Sequence, residues 1–331
     1  MSLLREYGKL ARVHSAVLTG LAPVLGAISA GMLDGNILFV LFLIGVSTHI
    51  FGFAFNEYMD INIDRRSEIL KNKPLVKGTI SKFGAITFAF SGVIIGYFLI
   101  LFLMITWQSI GLFGVTFYTL SWFSIGIYDL TSKSVRGSDL ALALWTGSLC
   151  LFGGFAVTQS PPKLLYIISA LAFFQLLIQN IIAGLKDLSQ DRLGNGTTTP
   201  LRMGVGLKKN TLLIPNKFQF NIYTLKIIHF FIVFIPFIFL WLRFNFYQLF
   251  FILLLLGINF IIVFLIFNSP KYNRNTLLRL IGLHEILSYS IVPILLISII
   301  GFQTLIFLII SPIIWLALFM KFLYGEMLPN I

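Results

Sequence analysis

Long apolar stretches separated by polar intervals run the whole length of the chain. Their spacing predicts spans near 13–32, 37–55, 84–106, 109–127, 139–158, 164–185, 222–242, 246–267, 280–300 and 303–322. Each holds about 20 mostly apolar residues, the length a helix needs to cross the hydrocarbon of a bilayer. The fold class that follows is all-α, a polytopic membrane bundle of nine to ten transmembrane helices. The count turns on whether the last apolar stretch is cut at Gly301-Phe302. Residues 1–331 read as a single integral membrane domain. The polar chemistry is confined to about 10–205, and 222–323 is plainer helical sequence.

Composition excludes a soluble core. The chain is 58% hydrophobic and 11% charged, with 35 phenylalanines and a mean hydropathy of +0.94, against roughly 25% charged residues in an ordinary soluble domain. The first apolar run reads as a span and not as the short core of a cleaved leader. The single cysteine, Cys150, excludes an intrachain disulfide.

The net charge of +12 would point to nucleic acid in a soluble protein, but here it has another source. Basic residues gather in alternate intervals: Arg5, Lys9 and Arg12; Arg65, Arg66, Lys71, Lys73, Lys77 and Lys82; Lys133 and Arg136; Lys186 to Lys217; Lys271, Arg274 and Arg279; and Lys321. Only Lys163 and Arg243 fall clearly in the opposite loops. The positive-inside rule then places the N-terminus and all the long loops in the cytoplasm. Most of the acids follow the same side, including Asp129, whereas an ion-coupled transporter more often buries its acids near the bilayer midplane.

Those acids carry the candidate chemistry. Of 12 Asp and Glu in the chain, three lie within eight positions: Glu57, Asp60 and Asp64, preceded by Asn56. Their i, i+3, i+7 spacing stacks them on one helix face, where like charges repel unless something positive offsets them. Mg²⁺ is the economical candidate, because it takes carboxylate oxygens and keeps the rest of its shell for water and phosphate. Lys71, Lys73 and Lys77 follow, as cations able to meet phosphate oxygens. A second pair, Asp187 and Asp191, lies at i, i+4 between Lys186 and Arg192, ahead of a Gly/Thr-rich turn. Two acidic clusters at two helix ends on one membrane face predict a divided metal–diphosphate site.

Taken in order, these segments resemble the motifs of the UbiA superfamily of intramembrane prenyltransferases, including its 4-hydroxybenzoate polyprenyltransferase and geranylgeranylglyceryl-phosphate geranylgeranyltransferase types. Asn56, Glu57, Asp60 and Asp64 match NDxxDxxxD with Glu at its second position. Lys73-Pro74-Leu75 with Gly78 and Ser81 resembles (R/K)PLxSGxIS. Lys186, Asp187, Asp191, Gly194 and Thr199-Pro200 resemble KDxxxDxxxGxxTxP, and Tyr128 with Lys133 resembles YxxxxK. Arg12-Val13-His14-Ser15 resembles a degenerate RPxN, lacking both its Pro and its Asn.

The resemblance implies an enzyme: an Mg²⁺-dependent transferase that moves a polyprenyl group from a prenyl diphosphate to a lipophilic acceptor, a quinone precursor or an ether-lipid glycerol phosphate, and releases diphosphate at the cytoplasmic face. Its partners are that diphosphate, the acceptor and membrane lipids, with no nucleic acid. Asn56, Asp60 and Asp64, with Glu57 at the departing position, would bind one Mg²⁺, and Asp187 with Asp191 a second. Lys73, Lys133, Arg192 and Arg12 would meet diphosphate oxygens, and Tyr128, Lys133 and Asp191 form the catalytic set. Tyr128 would offer its ring face to the allylic cation; an interfacial belt tyrosine is the other reading. His49 and His284-Glu285 are intramembrane polar groups with either a functional or a packing role. Gly153-Gly154 either shapes a prenyl channel or lets helices approach. The alternative function is a membrane transporter or channel with acidic cytoplasmic rims. An alcohol phosphotransferase would need Asp-Gly-x-x-Ala-Arg, which is absent.

Overall fold

Leu3–Leu10 (α1) and Ala16–Ser29 (α2) meet at a sharp bend, and Gly35–Asp64 (α3) follows. Residues 3–66, 70–108, 110–193, 196–208, 211–243, 245–269 and 272–326 are described in this computed structural model. Further helices are Pro74–Lys77 (α4), Lys82–Trp107 (α5), Leu112–Thr131 (α6), Ser138–Val157 (α7), Lys163–Ala183 (α8), Leu188–Leu193 (α9) and Thr199–Arg202 (α10). After a two-stranded hairpin, Gly206–Lys208 against Thr211–Leu213, come Asn216–Ile238 (α11), Phe246–Phe267 (α12), Arg274–Leu295 (α13) and Ile297–Tyr324 (α14). The expected all-α membrane bundle is what forms, the hairpin aside.

Among the described residues, eight helices are long and apolar enough to cross a membrane, or nine if the α1–α2 pair, bent by 56°, is one span. Nine meets the lower end of the nine to ten expected, and eight falls one short of it. The sequence reading cuts the last stretch at Gly301-Phe302. In the structure α13 ends at Leu295, and Gly301 then kinks α14 with a left-handed φ of 72°. Glycine tolerates that backbone because it has no Cβ.

Helix α3 runs past the expected span 37–55 to Asp64, as the stacking of its three acids on one helix face requires, so its 30 residues make a rod of about 45 Å. A hydrocarbon core is about 30 Å thick, so α3 is long enough to cross it and still carry the acid-bearing last turns as helix. Asp34 caps the other end, its carboxylate accepting from the Asn36 and Ile37 amides.

Outward faces carry Phe98, Ile94, Leu112 and Phe231, all exposed, as lipid contact requires. Inside, α2 packs on α3 and α7, α3 on α5, α6 on α7, and α8 on α7, α11 and α13. The α2–α7 crossing is backbone to backbone. A Cβ at Gly26 would overlap the Cys150 carbonyl oxygen, and one at Gly153 the Pro23 carbonyl oxygen. Gly154 similarly admits the Leu165 side chain. These glycines therefore serve helix approach, the dominant packing device where lipid removes the hydrophobic drive between helices. Helix α14 closes the bundle against α1, α2 and α13.

Candidate active site

The acidic end of α3 is threaded with cations from two other segments. Glu57 is buried, and its Oε1 accepts from the Arg12 guanidinium at 2.7 Å and pairs with Lys73 Nζ at 2.9 Å. The same Lys73 reaches Asp64 Oδ2 at 2.7 Å. One lysine thus ties together two carboxylates seven residues apart, which offsets the repulsion built into the stacking. Lys73 can do so because Pro74 starts α4 immediately after it and fixes the backbone. Asp60 lies between them on the same face and makes no ion pair with the described residues.

Arg12 reaches Glu57 from an unusual backbone. It is the hinge of the α1–α2 bend and has φ 45°, a conformation most side chains avoid. Three contacts hold it: Ser15 N–H and Oγ donate to its carbonyl, and His49 Nε2 lies 3.3 Å from the same oxygen. The indole of Trp315 on α14 donates to the next carbonyl, that of Val13, at 2.8 Å. His49 also meets Thr19 Oγ1 at 3.0 Å, so it ties α2 and α3 to this turn. His284 likewise sits in a structural network, between Lys226 Nζ at 2.9 Å and Gln179 Oε1 at 2.7 Å. Glu285 accepts from the Gln179 amide at 3.4 Å. His14 packs edge-on to Tyr324.

The second cluster sits where α8 tightens into a 3₁₀ turn, Gly184–Asp187, before α9. Asp187 pairs with Lys186 and, at 3.3 Å, with Arg274 at the start of α13. Asp191 is buried and accepts from Lys133 Nζ at 2.7 Å. Thr197 N–H and Oγ1 both donate to the Lys133 carbonyl, so the turn after the second cluster also positions this lysine. Arg192 is exposed and makes no ion pair with the described residues. Gly194 lies outside the described residues.

Lys133 stands between the clusters. Burial works against its charge, but Asp60 of the first cluster and Asp191 and Asp187 of the second outweigh it, and its ammonium is held above the ordinary lysine range. Arg12, bonded to Glu57, also feels the charge of Asp187. The two acidic groups, 130 positions apart, therefore share one electrostatic environment.

Tyr128 is half-buried, and its hydroxyl donates to Asn180 Oδ1 at 3.3 Å. The Asn180 amide donates in turn to Asp139 Oδ1 at 2.6 Å, and Thr199 donates to the other Asp139 oxygen. This chain of bonds links α6, α8, α7 and α10. The sequence assigns neither Asn180 nor Asp139 to the site, and it places Arg274 only among the basic residues of a loop. Asn180 and Asp139 carry only the weak signal of polar residues inside apolar helices.

Hard oxygen donors for a divalent cation are present as Asn56, Asp60 and Asp64 on one side and Asp187 and Asp191 on the other. Among the described residues no three acidic, histidine or cysteine groups converge as a ready cage. Mg²⁺ does not need one, since it binds through one or two carboxylates and completes its shell with water and phosphate oxygens. The donor set fits such an ion held together with a diphosphate.

Solved structures of the same fold include one described as digeranylgeranylglyceryl phosphate synthase, with a TM-score of 0.65 and 18% identity over 91% of this chain and 100% of that one. A UbiA homologue from Archaeoglobus fulgidus bound to GPP and Mg²⁺ gives 0.64 and 18%, over 90% and 100%. The apo form of a UbiA homologue from Aeropyrum pernix K1 gives 0.62 and 15%, over 85% and 95%. No curated protein matches the chain in sequence. The profile of the UbiA prenyltransferase family, however, matches residues 16–284, the stretch that holds both acidic clusters, Tyr128 and Lys133, and this chain belongs to that family.

Proposed function

We propose that this chain transfers a polyprenyl group from a prenyl diphosphate to a lipophilic acceptor, a quinone precursor or an ether-lipid glycerol phosphate, and releases diphosphate. The observation that carries the reading is the position of Lys133, bonded to Asp191 and within the field of Asp60. It stands where one anionic leaving group would meet both clusters. The Archaeoglobus fulgidus homologue of the same fold binds GPP and Mg²⁺, which supports the same ligands here.

Asn56, Asp60 and Asp64 would hold one Mg²⁺, and Asp187 with Asp191 a second. Bound there, the metal supplies positive charge to the diphosphate as the allylic carbon–oxygen bond breaks, without moving a proton. Lys73 and Lys133, with Arg12 and Arg192, bind the diphosphate oxygens from the protein side. Glu57 acts chiefly as the anchor of Arg12 and Lys73, since both cations already share its Oε1. Tyr128 presents its ring to the allylic cation, and the Asn180–Asp139 bonds fix that ring in place. The site faces the cytoplasm, because the basic intervals lie at the same helix ends as the acids. Residues 1–331 work as one domain, since α14 holds the turn that presents Arg12.

The test is diphosphate release from geranylgeranyl diphosphate by the full-length protein in lipid nanodiscs, with and without Mg²⁺. Acceptors come from mass spectrometry of lipids and quinones of cells with and without the protein. Metal-dependent release supports the reading; no release with any extracted acceptor overturns it.

A further inference from the structure

One acid at this site has a place in neither cluster. Asp129 follows Tyr128 near the end of α6 and is 5% exposed. Its Oδ1 accepts from Asn56 Nδ2 at 3.2 Å. Its Oδ2 is fully buried and has no hydrogen-bond partner among the described residues. Asp60 and Arg12 both lie close enough for their charges to act on it, so this orphan oxygen is set within the charged site. A buried carboxylate oxygen without a donor is costly, and such groups call for an explanation.

Asn56 provides half of it. An asparagine has one face that accepts and one that donates, and only the carbonyl oxygen can bind a hard cation. The amide turns its nitrogen to Asp129 Oδ1, which leaves its oxygen on the other side. Among the described residues no donor occupies Asn56 Oδ1. Asn56 sits one helical turn before Asp60 on the same face of α3.

We propose that Asp129 is a positioning residue for the metal: it locks the Asn56 amide with its oxygen toward the cation, and its own free oxygen receives a water of the hydrated ion. This rests on the proposed Mg²⁺–diphosphate site. Partners that orient metal ligands typically change affinity 10- to 100-fold when removed. In Asp129→Asn the new amide can donate to Asn56 Oδ1 and allow the Asn56 amide to flip.

The experiment uses the full-length protein in nanodiscs with an unreactive thiolo analogue of geranylgeranyl diphosphate, and follows Mn²⁺ binding by electron paramagnetic resonance. Mg²⁺ dependence of turnover is measured in parallel. For Asp129→Asn, Mn²⁺ affinity should fall by about tenfold or more, with kcat at saturating Mg²⁺ within about threefold of wild type. In an Asn56→Ala background the same change should add little. The melting temperature should hold or rise, because a buried orphan carboxylate has been removed. Unchanged metal affinity in Asp129→Asn, or a lowered melting temperature with normal affinity in the folded fraction, overturns the proposal. If the wild-type protein itself shows no metal dependence, the proposed function fails first and is recognised as the cause.

Discussion

Replacing Lys133 with Met removes the ammonium that bonds Asp191 and lies in the field of Asp60 while keeping most of the side chain's volume. The Nζ lies 2.7 Å from Asp191 Oδ1. With an effective dielectric constant of about 20, the gross attraction at that separation is about 6 kcal/mol. The lysine side chain is 31% exposed and its partner 6%, so solvent screens much of this. The net value is that of a charge-assisted hydrogen bond, about 1.5–3 kcal/mol. If the same ammonium contacts the departing diphosphate, a similar amount is lost from the transition state. That corresponds to a fall of about 10- to 150-fold in kcat/KM for the prenyl diphosphate. The assay is steady-state diphosphate release at saturating Mg²⁺, beside a melting curve in the same detergent. Stability offers an internal control. Asp191→Asn should restore part of the melting temperature lost in Lys133→Met, because it removes the carboxylate left buried and unpaired, yet it should not restore turnover. A Lys133→Met protein with kcat/KM within twofold of wild type would refute the reasoning.

Glu57→Gln keeps the shape of the anchor but removes the charge shared by Arg12 and Lys73. It should destabilise the protein by about 2 kcal/mol, the cost of breaking a buried pair discounted for the half-exposed arginine; an unchanged melting temperature counts against the anchoring role. Asn180→Ala cuts the bonds that hold the Tyr128 hydroxyl and Asp139. It should lower kcat by about tenfold or more with little change in KM for the diphosphate, and a change in KM alone would contradict the positioning of Tyr128. Because Lys133 is held above the ordinary lysine value, the fold favours its protonated form. Its contribution is complete below a pKa of about 10.4 and is lost only as pH rises past the raised value. KM for the diphosphate should stay flat from neutral pH to about pH 10; a rise between pH 8 and 9 would mean that Lys133 is not the contacting cation.

Much of this site is legible in the chain because it rests on local periodicity. The spacing of Glu57, Asp60 and Asp64 places them on one face whatever surrounds the helix, and α3 keeps that face to Asp64. The apolar runs likewise mark the helices, since backbone groups in lipid have no other way to be satisfied. Partners across the bundle are not legible. Nothing near Glu57 in sequence says that Arg12, 45 residues earlier, meets it, or that Arg274 reaches Asp187. Those pairings depend on the bend at Arg12 and on α13 beginning at Arg274, within what the sequence reads as a loop. The Asn180–Asp139–Thr199 bonds and the Asn56–Asp129 contact are likewise products of packing among α3, α6, α7, α8 and α10.

The most direct measurement is the Mg²⁺ dependence of diphosphate release for wild type, Asp60→Ala and Asp187→Ala, one substitution in each acidic cluster, in the same nanodiscs. A divided site requires that each substitution alone lower turnover by about 100-fold or more, with more Mg²⁺ needed for the residual activity. Turnover that needs no divalent metal, or one substitution that leaves the Mg²⁺ response as in wild type, would contradict a diphosphate held between the two clusters.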